Sequence, residues 1–180
     1  MSFGEAIKSV FSKYAVFSGR ARRSEYWYFV LFCFLVSFAL GCIPFLSALS
    51  FIWWLAILIP SLAVTVRRLH DIGKSGWNYL LILIPELLVE GFLFYFIFLV
   101  IMEMKDAGFK FYNILDNFGA IVDRVMLHTS ELRTLGILTI IDLVVTIVWL
   151  VWFTRDSQPG ENKWGPNPKE VPSNNNSGMN

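Results

Sequence analysis

The residues best suited to chemistry fall into two sets. The first is cationic. Arg20, Arg22 and Arg23 lie in the run Phe17-Ser18-Gly19-Arg20-Ala21-Arg22-Arg23-Ser24-Glu25-Tyr26-Trp27, and Arg67, Arg68, His70 and Asp71 lie in Arg67-Arg68-Leu69-His70-Asp71-Ile72-Gly73-Lys74-Ser75-Gly76-Trp77. Several guanidiniums beside a glycine turn suit a phosphate, because arginine bonds its oxygens two at a time and glycine lets backbone N–H groups approach. An anionic lipid headgroup is the nearest ligand of that kind. The competing reading is that the arginines fix orientation in a membrane and pair with Glu25 and Asp71.

The second set is acidic: Glu86, Glu90 and Asp142 stand inside long apolar runs with no Lys or Arg beside them. An unpaired charge at the centre of a spanning helix costs about 2.5–3.5 kcal/mol or more. These acids are therefore expected to be protonated, hydrogen-bonded to groups such as Thr139 or Ser61, or set along a wet cleft. A proton or cation path is the functional reading, helped by Pro60 and Pro85, whose missing helix bonds expose carbonyl oxygens. Polar contact between helices or subunits is the plainer one.

Other chemistries fail on spacing. Gly73-Lys74-Ser75 ends like a nucleotide phosphate loop, but the earlier glycine it needs would stand where Arg68 is. His70 and Asp71 are neighbours on a helix and diverge by about 100°. They make no ready catalytic pair, and no nucleophile is marked by spacing. His128 is isolated. Cys33 and Cys42, nine helical steps apart, fall on opposite faces, so no disulfide framework, metal or cofactor is expected.

These residues must be held by membrane-spanning helices. Of the 180 residues, 56% are hydrophobic and 16% charged, with mean hydropathy +0.56. That excludes a disordered chain, a basic nucleic-acid-binding domain and a small disulfide scaffold. Four apolar stretches, 26–43, 46–66, 77–102 and 134–153, have lengths of 18, 21, 26 and 20 residues. About 20 helical residues cross a bilayer core. A β-barrel would need alternating segments, which Leu80–Pro85 and Leu143–Val148 lack. Glu86 and Glu90 then share a helix face near mid-depth, and Asp142 is also central.

Charge sets the orientation. Five Lys and Arg precede the first stretch, none separates the first two, three lie in 67–76 and three follow Phe153. The remaining four, in 103–133, are outweighed by five acids. Positive residues near helix ends stay in the cytoplasm, so both termini and the 67–76 loop are expected there. Tyr26, Trp27, Tyr28, Trp77, Tyr79, Trp149 and Trp152 sit at the same surface, and Trp53 and Trp54 form an outer belt. A cleavable signal peptide is set aside, because 25 residues precede the first apolar run. Ala39-Leu40-Gly41-Cys42 is a poor lipoprotein box, since cleavage there would remove the first helix.

Two non-spanning segments also read as helices. Ser2-Phe3-Gly4-Glu5 has capping-box spacing, followed by Phe3, Ile7, Val10, Phe11 and Tyr14 at helical intervals. This helix lies on the inner leaflet or packs on the bundle. Phe111, Ile114, Leu115, Phe118, Ile121, Val122, Val125 and Met126 form a second stripe, an amphipathic helix in the 103–133 insertion.

A third run, Pro159-Gly160-Glu161-Asn162-Lys163-Trp164-Gly165-Pro166-Asn167-Pro168, completes a set with the two cationic runs. In sequence and order the three closely resemble the domain of unknown function 805 family of small bacterial inner-membrane proteins, over most of residues 10–170. The resemblance implies a polytopic inner-membrane protein and supplies no catalytic residue. The insertion 103–133 departs from the compact family pattern. A break at Pro85–Gly91 would place that insertion inside and the tail outside, but the charge balance favours four full spans.

The expectation is thus an all-α membrane protein in the bacterial inner membrane. It is a single domain over 1–170, with four transmembrane helices, an N-terminal interfacial helix, an amphipathic helix in the third loop and a loose tail over 171–180. A non-enzymatic role is favoured, with headgroup contact through Arg20, Arg22, Arg23, Arg67, Arg68, His70 and Asp71. The alternatives are a proton- or cation-coupled transporter component using Glu86, Glu90 and Asp142, and a membrane enzyme acting on a lipid phosphate. Expected partners are membrane lipids, further copies of the chain or other membrane proteins, and no nucleic acid.

Overall fold

The computed structural model describes residues 1–43, 47–106 and 118–170. Among these residues the helices are α1 (Phe3–Ser12), α2 (Arg23–Cys42), α3 (Ser47–Asp71), α4 (Leu80–Asp106), α5 (Phe118–Leu127) and α6 (Thr129–Thr154), with a 3-10 turn at Gly76–Tyr79. Among the described residues there is no strand; one isolated bridge joins Asn162 and Gly165. Among the described residues, four helices are long and apolar enough to cross a membrane: Arg23–Cys42, Leu49–Asp71, Gly76–Asp106 and Thr129–Thr154. These are the four expected stretches. Each lengthens at its polar end, because Arg67–Asp71 and Glu103–Asp106 continue the helical turns that the apolar residues begin. Pro85 lies within α4 without ending it, so the helix continues through 85–91 with no re-entrant break.

The chain forms two compact units, Met1–Tyr79 with the segment from Leu150 onward, and Leu80–Trp149. In the first unit, α1 opens with the expected capping box. The Ser2 N–H donates to Glu5 Oε2 at 2.8 Å, and Glu5 N–H donates to Ser2 Oγ at 3.4 Å. The Ser2 backbone bond is the main cause holding the Glu5 carboxyl below its usual range. Ala6 and Val10 are fully buried, and Val10 packs with Ala21, Phe29 and Val64. Phe11 lays its ring edge-on against Phe29 and Phe32 at 5.8 and 6.1 Å. The apolar stripe thus docks on α2 and α3, with Phe3, Phe11 and Tyr14 at its rim, partly exposed while touching Tyr28, Phe29 and Ala56. Of the two environments expected for this helix, packing on the bundle is the one observed.

Pro60 lies inside α3 and has no N–H, which leaves the Ala56 carbonyl four residues earlier without its helix partner. The Tyr14 hydroxyl donates to that carbonyl at 2.6 Å. A chain segment outside the helix therefore closes the gap that the proline opens.

In the second unit, Phe96, Val100 and Met104 recur every four residues on α4 and pack with Ile121 and Val125 of α5 and Leu132 of α6. This is the described part of the expected amphipathic helix. Phe111, Ile114 and Leu115 fall outside the described residues, as do Leu46, where the second stretch was expected to begin, and the tail 171–180.

Tyr14→Phe removes the one donor at the Pro60 gap. It should lower the stability of the detergent-solubilised chain by about 1–3 kcal/mol, the cost of an unsatisfied acceptor. Denaturant titration followed by circular dichroism measures it, and unchanged stability would show that the Ala56 carbonyl finds another donor.

Candidate functional site

The second cationic run ends α3 by chain geometry. Gly73 adopts φ +78°, a left-handed conformation, and the Lys74 and Gly73 N–H groups donate to the Leu69 and His70 carbonyls at 2.9 and 3.1 Å. This is a Schellman cap, which closes the last helical carbonyls and suits glycine at that position. Gly76 is required by close approach, since a Cβ there would lie 2.8 Å from Val66 Cγ1. The cap fixes where the last turn, Arg67 to Asp71, presents its side chains.

Asp71 is the hub. Fully buried, its carboxylate accepts from Arg20 Nε at 3.0 Å, Arg68 Nη1 at 2.5 Å and the Ser157 hydroxyl at 2.7 Å. Its backbone carbonyl accepts from the Gln158 N–H at 2.9 Å. Arg20 uses its remaining nitrogens on the same tail segment, donating to the carbonyls of Gln158 at 2.5 Å, Gly160 at 2.8 Å and Gly165 at 3.3 Å. Arg67, 1% exposed, donates to the Lys13 and Val16 carbonyls at 3.2 and 2.5 Å and pairs with Glu25 at 3.5 Å. Ser9 of α1 donates to the same Glu25 oxygen.

A third group of bonds closes the end of α6, whose last carbonyls have no helix donors and carry the negative end of its dipole. Arg68 donates to the carbonyls of Phe153, at 3.2 Å, and Arg155. Trp27 Nε1 donates to Phe153 at 3.1 Å, and Arg23 Nη1 to Thr154 at 3.2 Å. Arg22 donates through Nε to Pro168 at 3.0 Å.

His70 is buried, with its ring stacked on Trp164 at 4.5 Å and an interplanar angle of 11°. Its Nδ1 lies 3.2 Å from the Gly19 carbonyl, which can only accept, so Nδ1 carries the proton. Its own carbonyl accepts from Asn162 Nδ2 at 3.0 Å. Lys74 lies over the Trp152 ring and Lys163 over Trp164. Farther along the tail, Lys169 bonds Asp156 and holds that carboxyl below its usual range.

The structure thus brings together all seven candidate residues of the cationic set. What the sequence did not reveal is the identity of their acceptors. Most are backbone carbonyls of Lys13, Val16, Phe153, Gln158, Gly160 and Pro168, which leave no trace in residue type. The positive φ of Gly160 and Gly165 turns the tail so that two of its carbonyls face Arg20, and that glycine spacing was the available clue.

The acidic set lies in the second unit. Glu86 is within electrostatic range of both Glu90 and Asp142. Glu86 and Glu90 are exposed on α4, and one Asp142 oxygen is buried without a hydrogen-bond donor. The expected donor Thr139 is taken by its own helix, bonding the Leu135 carbonyl at 2.8 Å, as a hydroxyl does when a carbonyl four residues back is within reach. Ser61 instead lines a groove between α2 and α3. His128 is not isolated: Nε2 lies 3.2 Å from Glu103 and Nδ1 3.8 Å from Glu131, with Phe96 edge-on at 6.0 Å. Among the described residues no group of three or more metal-ligating side chains converges.

Comparison with known proteins adds a family. Residues 14–166 match the family model described as protein of unknown function (DUF805). The chain is 43% identical over 82 residues to inner membrane protein YhaI of Escherichia coli K12, covering 43% of this chain and 70% of that protein. It is 39% identical over 85 residues to inner membrane protein YhaH of the same strain, covering 42% of this chain and 70% of that protein. No solved structure matches it significantly.

Asp71→Asn keeps the size of the hub and removes its charge, leaving Arg20 and Arg68 buried without a counter-ion. Loss of one partner of a buried pair costs about 3–5 kcal/mol. The variant should unfold at markedly lower denaturant concentration than the parent, whereas Glu161→Gln, at an exposed carboxylate of the same tail, should not.

Proposed function

The chain belongs to the DUF805 family of unknown function, and from that membership we propose that it is a non-enzymatic, multi-pass bacterial inner-membrane protein with both termini cytoplasmic. In it the buried arginines are structural fastenings, and the outward cations contact anionic headgroups. The inner-membrane location agrees with the relatives YhaI and YhaH, both inner membrane proteins. The orientation is supported by the convergence of all three motif runs at one end of the first unit, together with the excess of Lys and Arg there.

The observation that carries the division of labour is that protein oxygens occupy the terminal nitrogens of the inner guanidiniums, while the Nε of Arg67 and of Arg68 is buried without a partner. Both terminal nitrogens of Arg20, Arg67 and Arg68 donate to protein oxygens. Phosphate would have to displace those bonds. Arg23 differs, being exposed and bonded to the Thr154 carbonyl, and exposed Lys8 and Lys13 flank the same α1–α2 region. A cation near an anionic leaflet contributes about 1 kcal/mol.

A second reading, a proton or cation path, rests on Glu86 and Asp142 being close enough to interact across two apolar helices of the second unit. It predicts pH-dependent flux in liposomes that falls on Glu86→Gln.

For the leading proposal, the chain is purified from vesicles of mixed phosphatidylethanolamine and phosphatidylglycerol, and the co-purifying lipid is counted. Neutralising Arg23, Lys8 and Lys13 together should lower phosphatidylglycerol enrichment at least fivefold, with a stability loss of no more than the about 0.5–1.5 kcal/mol of Arg23's bond to the Thr154 carbonyl, and added salt should lower the enrichment likewise. Unchanged enrichment would overturn the headgroup reading. Arg68→Gln should instead lower stability.

A further inference from the structure

The first unit contains an open groove of about 150 Å³ between α2 and α3, walled by Phe29, Val30 and Cys33 on one side and Ser61, Val64 and Thr65 on the other. Phe29 and Val64 form its floor, where they belong to the buried core. Its polar groups are the unusual part. The hydroxyls of Thr134, Thr139 and Thr154 bond back to their own helix. Those of Ser61 and Thr65 have no partner among the described residues, although Thr65 is only 8% exposed. Both hydroxyls open on the groove, and in hydrocarbon a hydroxyl with no acceptor costs about 1–3 kcal/mol. In a spanning helix water does not make up the loss.

Depth narrows the choice of acceptor. Thr65 precedes Arg67 by two residues, about 3 Å along the helix axis, and Ser61 lies about 6 Å deeper. The arginines mark the headgroup level, so Thr65 stands just beneath it, where a phospholipid carries its ester carbonyls. Below Thr65 the groove is walled by Phe29, Val30 and Cys33, with the Ser61 hydroxyl as its one polar group there. At its head on α2, Arg23 precedes Tyr26 by three residues and Val30 by seven, which puts all three on one helix face, and its guanidinium is exposed.

We propose that this groove seats one ester-linked phospholipid, with an acyl chain along Phe29, Val30 and Cys33, an ester carbonyl accepting from the Thr65 hydroxyl, and the phosphate at Arg23. The proposal rests on the inner-membrane orientation above and adds a stoichiometric site to the diffuse headgroup contact. The ester requirement separates it from a polyprenyl phosphate, which offers the same phosphate and an apolar chain but no carbonyl.

The test is native mass spectrometry of the full chain in detergent. It is titrated with palmitoyl-oleoyl phosphatidylglycerol, with the dialkyl-ether analogue of that lipid, and with a polyprenyl phosphate. One saturable diester lipid is expected, bound about fivefold more tightly than the ether analogue, the effect of a single hydrogen bond. Thr65→Val should weaken the diester by the same factor and abolish the ester–ether difference, Thr65→Ser should preserve it, and Val30→Trp should remove saturable binding by filling the groove. Equal affinity of the parent chain for ester and ether lipids overturns the site even if a variant fails to fold, and so does tighter binding of the polyprenyl phosphate. Loss on Arg23→Gln with no effect of Thr65→Val overturns the groove and leaves the headgroup reading standing. Loss on Thr65→Val alone supports the groove and removes Arg23 from it.

Discussion

A carboxylate shut away from water must be met by positive charge and hydrogen-bond donors, and Asp71 imposes that constraint on the first unit. It is fully buried at the last turn of a spanning helix, where solvent cannot screen it. Its three side-chain donors come from separate parts of the chain: Arg20 before α2, Arg68 on α3 and Ser157 after α6. Meeting one charge therefore gathers three segments. Arg20 and Arg68, held in place by Asp71, have nitrogens left over, and these reach the tail carbonyls and the end of α6. Arg67 repeats the arrangement with Glu25 and the chain around α1.

The outside of the molecule follows a different rule. Phe34 and Phe38 of α2 are each 63% exposed, and Phe94 of α4 is 79% exposed. In water such a surface would aggregate. In hydrocarbon it is the preferred state, so the spans need little apolar burial against one another. Specific structure is concentrated where helices leave the bilayer, since backbone groups there lose their regular partners. The Schellman cap at Gly73 and the guanidiniums on the end of α6 each answer such a vacancy, and the Tyr14 hydroxyl answers the one that Pro60 opens inside α3.

Much of this was legible in the residues. Four spans follow from run lengths, because a bilayer needs little more than length and apolarity from a helix. The capping box at Ser2 and Glu5 was legible because two side chains at fixed spacing define it, and the pairing of the arginines with Glu25 and Asp71 was among the readings open from charge alone. The acceptors of the remaining guanidinium bonds were not, since a backbone carbonyl carries no mark of residue type and its position depends on how a turn is bent. The same applies to Tyr14 and Pro60, 46 residues apart and joined only by folding. Thr139 is, with Ser61, one of the donors that depth alone offers the mid-membrane acids, but its hydroxyl bonds the carbonyl four residues back on its own helix. Neighbours on one helix compete first.

Asp71 fastens the segment after α6 to the end of α3. Hydrogen exchange of the backbone amides in residues 157–165, followed by mass spectrometry on the chain in lipid nanodiscs, reads that fastening directly. In the parent these amides should exchange slowly. In Asp71→Asn they should exchange at rates near those of an unfolded peptide, while the amides of α2 and the middle of α3 stay protected. Equal protection of 157–165 in the two proteins would contradict the claim, because the tail would then be held by something other than the buried carboxylate.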